Sequence, residues 1–431
     1  MVLAKHERLR VLYLAKTSVG APWAVRQVRD HVRLGIAAHV VVPAGGPRVA
    51  EYAAVGATVH TLVADLPVKR PWTMPGVFKE IRDVVARVDP DIIHLYHVGT
   101  AVAVRLALGK NHPIPRVFQV AGLLHLENPL SRRVEIATAG PRDYWIGVAN
   151  AIERRYRAVG IPAARLSVVD YGVDLDDARA HTKGVLRAEL GVGPETKLVG
   201  MVGIMYPPKR YLGQRRGLKG HEDLIDALAI VMQQRSDVMG VVIGGAWNDA
   251  MAYEKRVRAY GKARCGERIV FLGERADVPE LLPDLDLAVQ PSHTEGVAGT
   301  TKEALVSRVP VISTDVGGQA DLIVHGETGW LVSAKEPRAM ATAILEALHD
   351  PARAMAMAVK GESRVRTHFD GERNNAEVAR IYAAILASDR EATQGVGIGK
   401  SVRNCLESGR RRDANTLSRD PECVNLQTSR E

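Results

Sequence analysis

The chain has 431 residues, 46% of them apolar, 25% charged and 5% aromatic, with a formal net charge of +9. That length suits two domains of about 200 residues each, and the composition excludes a disordered, collagen-like or disulfide-dense protein, while no apolar run reaches the roughly 20 residues needed to span a bilayer. The positive charge comes without an aromatic-basic array, which argues against nucleic acid and for small anionic ligands or an anionic membrane surface as partners.

Met1 to Arg10 is charged, unlike a signal peptide, and leads straight into a strand, Arg10 to Ala15. Lys16 to Pro22 is a loop containing Gly20, without the GxGxxG of a dinucleotide fingerprint. A helix follows from Trp23 to Leu34, then strands His39 to Pro43 and Val59 to Val63. Pro75 to Val88 is an amphipathic helix, Asp91 to Tyr96 a fourth strand, and Thr100 to Leu108 a helix. His94, in mid-strand, reads as a packed core residue; His97, at the strand's carboxyl end, is better placed to meet a ligand. The fifth strand, Arg116 to Val120, runs into Ala121-Gly122-Leu123-Leu124-His125. Asn128 to Ala139 reads as a long polar loop suited to face an acceptor. After a strand over Asp143 to Ala149 and a helix over Asn150 to Val159, Leu166 to Asp170 leads into the turn Tyr171-Gly172-Val173-Asp174. There Gly172 supplies an unusual backbone angle. Asp176 to Pro194 reads as a helix plus linker.

Lys197 to Val202 opens a second unit in which strand, glycine, basic loop and helix repeat. Two doubly wound halves with a cleft between them are implied. The basic loop runs from Gly203 to Gly220 and carries Arg210, Arg215, Arg216 and Lys219 ahead of a helix from Glu222 to Gln234. Strands follow at Val238 to Gly245 and Arg268 to Gly273, then Glu274, Arg275 and a helix from Val278 to Leu282. Leu285 to Val289 is a buried strand that ends at Pro291. A small-residue loop, Ser292 to Gly299, a helix from Thr300 to Ser307 and a strand from Pro310 to Ser313 follow with tight connections, as in a βαβ crossover of a parallel sheet. One continuous helix would leave Glu295 and Glu303 roughly 80° apart. Glu295 instead belongs to the loop beyond the strand's carboxyl end, where open α/β sheets bind ligands. The backbone from Gly296 through Val297, Ala298 and Gly299 to Thr300 is open to close approach by a ligand, and a helix N-terminus suits a phosphate. Thr300-x-x-Glu303 equally fits a capping box, and Glu295 a solvated loop acid. Helices from Pro337 to His349, Pro351 to His368 and Gly371 to Ala387 close the folded part. From Ser388 the apolar periodicity fails, as in a disordered tail. Gly395 to Ser401 lacks the first glycine of a P-loop. Asp174-x-Asp176 and Asp284-x-Asp286 read as turn acids. Cys265, Cys405 and Cys423 fit reduced cytoplasmic thiols and no metal centre.

Glu295-x7-Glu303, preceded by Pro291-Ser292 and followed by Pro310-Val311-Ile312, resembles the donor-binding signature of retaining GT-B glycosyltransferases of family 4. Lys219-Gly220, Gly122-x-x-His125 and the run from Gly317 to Val332 resemble other segments of that family. The resemblance implies two Rossmann-like α/β domains facing a central cleft. These are an acceptor-side domain over 1–185 and a nucleotide-sugar donor domain over 186–370, with a helix over 371–387 crossing back and a tail over 388–431. It implies a cytoplasmic enzyme that transfers a hexose or N-acetylhexosamine from a nucleotide-diphosphate sugar, UDP foremost, to a hydroxyl acceptor. That acceptor would be a lipid-linked saccharide, a polysaccharide or a small cyclitol, and neither metal nor other cofactor would be needed. Lys219 and one of Arg210, Arg215 or Arg216 would hold the diphosphate, with Gly20 facing it. The turn at Arg275 would hold the base, Glu303 the ribose and Glu295 the sugar, and His125 would face the anomeric centre. Nucleotide-sugar epimerases share the architecture, and a catalytically silent nucleotide-sugar binder would carry the same residues.

Overall fold

The computed structural model describes residues 8–175, 183–210, 213–248 and 250–388. The first half forms β1 (Arg10–Leu14), α1 (Pro22–Arg33), β2 (Ala37–Val42), α2 (Arg48–Ala54), β3 (Thr58–Thr61), α3 (Met74–Val88), β4 (Ile92–Leu95), α4 (Val98–Leu108), β5 (Arg116–Val120), α5 (Leu124–Glu127), α6 (Pro129–Thr138), β6 (Asp143–Gly147), α7 (Asn150–Ala158) and β7 (Leu166–Val168). The second half forms α8 (Val185–Leu190), β8 (Lys197–Val202), α9 (His221–Gln234), β9 (Val238–Ile243), α10 (Met251–Cys265), β10 (Ile269–Gly273), α11 (Val278–Leu281), β11 (Leu287–Gln290), α12 (Gly299–Val306), β12 (Val311–Thr314), α13 (Gln319–Leu322), β13 (Trp330–Val332), α14 (Pro337–His349) and α15 (Pro351–His368). A last helix begins at 371. The expected tail lies, from 389, outside the described residues, as does the Gly395–Ser401 segment.

The strands are continuous apolar runs because helices cover both faces of each sheet. The first sheet has the order β3-β2-β1-β4-β5-β6-β7 and the second β10-β9-β8-β11-β12-β13, with parallel pairing throughout. In both, the order reverses beside the first strand, so β1 and β4, and β8 and β11, open a crevice at their carboxyl ends. Leu12, Ile93, Leu95 and Val117 in the first sheet, and Val199, Val242, Leu287 and Ile312 in the second, are fully buried or nearly so. Each such side chain contributes about 1.5–3 kcal/mol of apolar burial. Both sheets belong to one compact unit that ends at Tyr382. No helix among the described residues is long and apolar enough to cross a membrane.

Contacts along the chain's return help tie the halves together. The turn after β7 lies against the chain's return: Val173 N donates to Phe369 O at 2.9 Å and Gly371 N to Val173 O at 3.0 Å. Gly172 has φ +67°, and a Cβ there would lie 2.3 Å from the Gly371 Cα, so glycine is required on both counts. Farther along, Tyr382 OH lies 2.6 Å from His94 Nδ1, and Asn375 donates to Asp30 Oδ2 at 2.8 Å. His94 is thus a core residue, buried in β4 among Tyr13, Tyr96 and Tyr382.

One expected loop is a helix. Asn128 caps α6, its side chain accepting from Ser131 N at 3.0 Å, with Pro129 in the first turn. Of its polar residues Glu135 turns inward, while Ser131 and Arg133 stay exposed. Glu135 and Asp143 pair with Arg105 and Arg116 in a network whose four side chains are all 0% exposed. Two cations and two carboxylates balance there, so no net charge is buried. The Asp284-x-Asp286 acids do structural work, as expected of turn acids. Asp284 accepts from the amides of Gly184, Leu186 and Arg187 at the start of α8, and Asp286 pairs with Arg187.

Candidate active site

The polar end of an otherwise apolar strand organises the site. Gln290, the last residue of β11, donates through Nε2 to Ser292 Oγ at 2.7 Å and to Glu295 Oε1 at 3.1 Å. Ser292 Oγ donates to the same carboxylate oxygen at 2.7 Å, and Thr300 Oγ1 donates to Gln290 Oε1 at 2.8 Å. Lys219 Nζ completes the cluster 2.5 Å from Glu295 Oε1. All these bonds go to Oε1; Oε2 of Glu295 has no hydrogen bond among the described residues. Glu295 is therefore held in place, 11% exposed, with one oxygen to offer.

The position of Lys219 depends on its neighbour. Gly220 has φ +70°, and a Cβ there would lie 1.9 Å from Pro291 O. Only glycine lets the basic loop lie this close to the end of β11. His293 secures the contact, its amide donating to Leu218 O at 2.8 Å and its Nε2 meeting Asp223 Oδ2. Of the candidate arginines, Arg216 is committed to Asp223 at 2.5 Å and Asp226 at 2.6 Å. Arg210 and Arg215 are exposed and make no ion pair among the described residues. The Arg275 side chain pairs with Glu189 at 2.8 Å and Asp277 at 2.6 Å, which leaves the backbone of its turn as the part that could meet the base.

Glu303 does not form the capping box that its spacing allows. The N-cap of α12 is Ala298, with no side-chain capping bond, and Thr300 points to Gln290. The Glu303 side chain has no hydrogen-bond partner among the described residues. Burial raises its pKa above the ordinary carboxylate value, against the weaker opposing pull of Arg26 and Lys302. An ideal Cβ on Gly299 would lie 3.8 Å from Glu303 Oε1, so the carboxylate sits over the helix's first turn. Lys302, its neighbour in sequence, turns the other way. It is 2% exposed, 2.5 Å from Asp170 Oδ1 and 5.7 Å from the Phe369 ring centre, and so bridges the two halves.

The loop between Glu295 and α12 is packed by protein where its small residues had been expected to admit a ligand. A Cβ on Gly296 would lie 2.2 Å from Ala121 O and 2.7 Å from Val148 Cγ2, both in the first half. Gly296 O accepts from Gly318 N at 2.6 Å, Val297 packs against the cores of both halves, and the Ala298 amide donates to Gln319 Oε1 at 3.3 Å. Gly299, exposed, and Thr300 open α12 with amides that have no intrahelical partner. The loop backbone left open to a ligand thus narrows to that end.

On the facing wall, His125 lies in α5, three residues past Gly122, whose own Cβ would be 3.8 Å from Gly296 N. Its Nε2 is 3.0 Å from Tyr156 OH, and burial holds its pKa below the ordinary histidine value. Gly20 meets Trp247 of the second half, with 3.5 Å between a Gly20 Cβ and the indole. Trp247 packs on Tyr206 at 5.0 Å between ring centres. Burial, with Glu295 nearby, pushes the Tyr206 hydroxyl up to about 12. His97 Nδ1 accepts from Lys16 N at 3.3 Å, and burial lowers its pKa to about 4.

Gln290, Tyr206, Trp247 and Lys302 were not anticipated. Gln290 carries a readable signal, a polar residue closing a buried strand. Tyr206 and Trp247 do not, since they meet only because the loops after β8 and β9 run side by side, with Met205 N donating to Gly245 O at 2.8 Å.

Residues 210–364 match the family model for glycosyl transferases group 1, and residues 23–177 that for glycosyltransferase family 4. The chain is 28% identical over 326 residues to a lipopolysaccharide core biosynthesis mannosyltransferase, LpsB, of Rhizobium meliloti, covering 72% of this chain and 88% of that one. It is 27% identical over 249 residues to a D-inositol 3-phosphate glycosyltransferase of Thermobispora bispora, covering 56% of each chain. Among solved structures, Anabaena Alr3699/HepE in complex with UDP superposes with a TM-score of 0.73 at 22% identity, covering 87% of this chain and 100% of that one.

Proposed function

We propose that this chain, which belongs to the family 4-like GT-B glycosyltransferases, transfers a hexose or N-acetylhexosamine with retention from a UDP-sugar to a hydroxyl acceptor. One observation carries the reading: Lys219 and the half-satisfied carboxylate of Glu295 meet at one cluster, and the unpartnered carboxylate of Glu303 lies eight positions on. UDP is favoured because the superposable HepE is solved with it, and a hexose because LpsB is named a mannosyltransferase.

The residues divide the work as follows. The diphosphate lies over the amides of Gly299 and Thr300 and draws Lys219 from Glu295. A cation fixed there stabilises the charge that grows on the leaving phosphate. Arg210 or Arg215 supplies the second cation, since Arg216 is engaged elsewhere. Released from Lys219, Glu295 accepts hydrogen bonds from the sugar hydroxyls. Glu303 accepts from the ribose, which offsets the cost of keeping a part-buried carboxylate without a partner. No second carboxylate is assigned as a nucleophile. The bond from the anomeric carbon to the phosphate oxygen breaks, the acceptor oxygen bonds to that carbon on the same face, and its proton passes to the leaving phosphate. Metal and cofactor play no part in this scheme. Lipid-linked saccharides, polysaccharides and cyclitol-type metabolites are the acceptor classes proposed, and a lipid-linked one would bring the basic chain to an anionic membrane face. The test is a panel of nucleotide-sugars read by mass spectrometry for released nucleoside diphosphate, then acceptor screening with the anomeric configuration of the product determined. Inverted product would overturn the retention assignment; isomerised donor without an acceptor would point to an epimerase.

A further inference from the structure

The transfer scheme assigns the acceptor no residue, and three loops at the carboxyl end of the first sheet bring together a polar cluster that the donor does not use. Lys16 follows β1, Asp65 follows β3 and His97 follows β4. The loop after β3 crosses the end of β2 to reach its neighbours. Asp65 Oδ2 lies 2.9 Å from Lys16 Nζ, and its Oδ1 is buried beside Gly99, where a Cβ would lie 2.1 Å from it. Lys16 N in turn donates to His97 Nδ1 at 3.3 Å, across the crevice where the strand order reverses.

That last bond fixes the proton of the ring. A backbone amide can only donate, so Nδ1 presents a lone pair and the imidazole is neutral with its proton on Nε2. His97 is part-exposed, its Nε2 has no hydrogen bond among the described residues, and it is not one of the buried unpartnered atoms. The N–H is therefore open to a ligand. Lys16 and Asp65 carry one charge of each sign, so the cluster offers donors and an acceptor without net charge.

We propose that His97, Lys16 and Asp65 bind the acceptor substrate, His97 Nε2–H donating to a ring hydroxyl of an uncharged polyol and Asp65 Oδ2 accepting from the hydroxyl beside it. The inference rests on the transfer reading, which places the donor on the second half and leaves this end of the first sheet to the acceptor. A hydroxyl both donates and accepts, so two adjacent ones match the cluster. A phosphate only accepts, and it would meet the Asp65 carboxylate with a neutral ring beside it and no added positive charge in return.

The experiment uses the full chain labelled with 15N-histidine and mixed with UDP. Myo-inositol and methyl α-glucoside are the probe polyols, and inorganic phosphate is the charged comparison. The His97 ring signals are identified by their loss in His97→Asn. Before any polyol is added, Nε2 is expected at the shift of a protonated nitrogen and Nδ1 at that of an unprotonated one. Either polyol should then move the Nε2 signal, and phosphate should not. His97→Asn keeps an oxygen for the Lys16 amide and removes the Nε2 donor, so Kd for the polyol should rise about 2- to 10-fold and Kd for UDP stay within about twofold. His97→Gln, whose longer amide restores a donor, should recover part of that loss. Asp65→Ala should weaken polyol binding in the same way, and serves if the histidine variants do not fold. A proton on Nδ1, silence of His97 toward both polyols, a response to phosphate alone, or an equal loss of UDP and polyol affinity in His97→Asn overturns the proposal. The expected polyol responses without turnover of any UDP-sugar would support this site and count against the transfer reading alone.

Discussion

Replacing Glu303 by glutamine separates a ligand role from a structural one with a sign as well as a size. The carboxylate is part-buried, its side chain has no hydrogen bond among the described residues, and desolvation raises its pKa above the ordinary carboxylate value. Its charged form therefore weakens the free protein. Removing a partly buried, unpartnered charge relieves at most about 1 kcal/mol, so the variant should melt no lower and up to about 2 °C higher for a unit of this size. UDP, in contrast, loses an acceptor for its ribose. A hydrogen bond to a charged group is worth about 1.5–3 kcal/mol, so Kd should rise roughly 10- to 100-fold. The stability gain also has a pH signature. Above the raised pKa the native carboxylate is charged and its cost is in force. As pH falls from that value to the ordinary 4.5, protonation relieves the cost and the variant's advantage disappears. Calorimetric titration with UDP and thermal melts from pH 8 to 4.5 measure both halves. A variant that melts lower and binds UDP normally would refute the ligand role and restore the capping one.

Three other outcomes follow from the geometry. Lys219→Ala should keep the fold and lower turnover about 10²–10³-fold, read as nucleoside diphosphate release; near-normal turnover removes the lysine from the diphosphate site. Lys302→Met leaves Asp170 charged and buried, so urea unfolding should show a loss of about 3–5 kcal/mol. The double variant Lys302→Met, Asp170→Asn should recover at least half of it, and strictly additive losses would mean that the pair is not coupled. Acid should weaken the return of the chain to the first sheet, because burial depresses His31 to about 4 and His94 well below its usual value. For a depressed histidine, stability is complete above the unfolded value of 6.5 and is lost as pH falls toward the folded one. His31 alone accounts for about 3 kcal/mol across that window, and denaturant midpoints that stay flat from pH 7 to 4.5 would contradict it.

The fold was readable because each buried parallel strand is an apolar run bounded by glycine or proline, and those runs recur at βαβ spacing in both halves. The meeting of Lys219 with Glu295 was foreseeable, because both lie in loops beyond strand ends, where such sheets bind ligands. What escaped depended on neighbours remote in sequence. Gly296 is small because Ala121 O, 175 positions earlier in the chain, occupies the space of a side chain. Lys302 reads as an ordinary helix lysine until Asp170 approaches it from the other half. The helix at 129–138 looked like a loop because its inward face carries Glu135, and a charge in the core is unreadable unless Arg105 is known to meet it. The three inserted arginines are alike in sequence, and only Asp223 and Asp226 show which one is already engaged.

Lys302 and Glu303 are consecutive residues of α12, about 100° apart around its axis; Lys302 pairs with Asp170 of the other half, and Glu303 is assigned to the proposed nucleoside. A rotation of this short helix moves both side chains. If the two halves take more than one angle, that angle and the occupancy of the nucleoside site are coupled through the same two residues. Linkage makes that coupling reciprocal: if a bound nucleotide favours one angle by a given factor, locking that angle raises nucleotide affinity by the same factor. A crosslink set across the two halves, far from any ligand atom, would tune the binding constant through this helix.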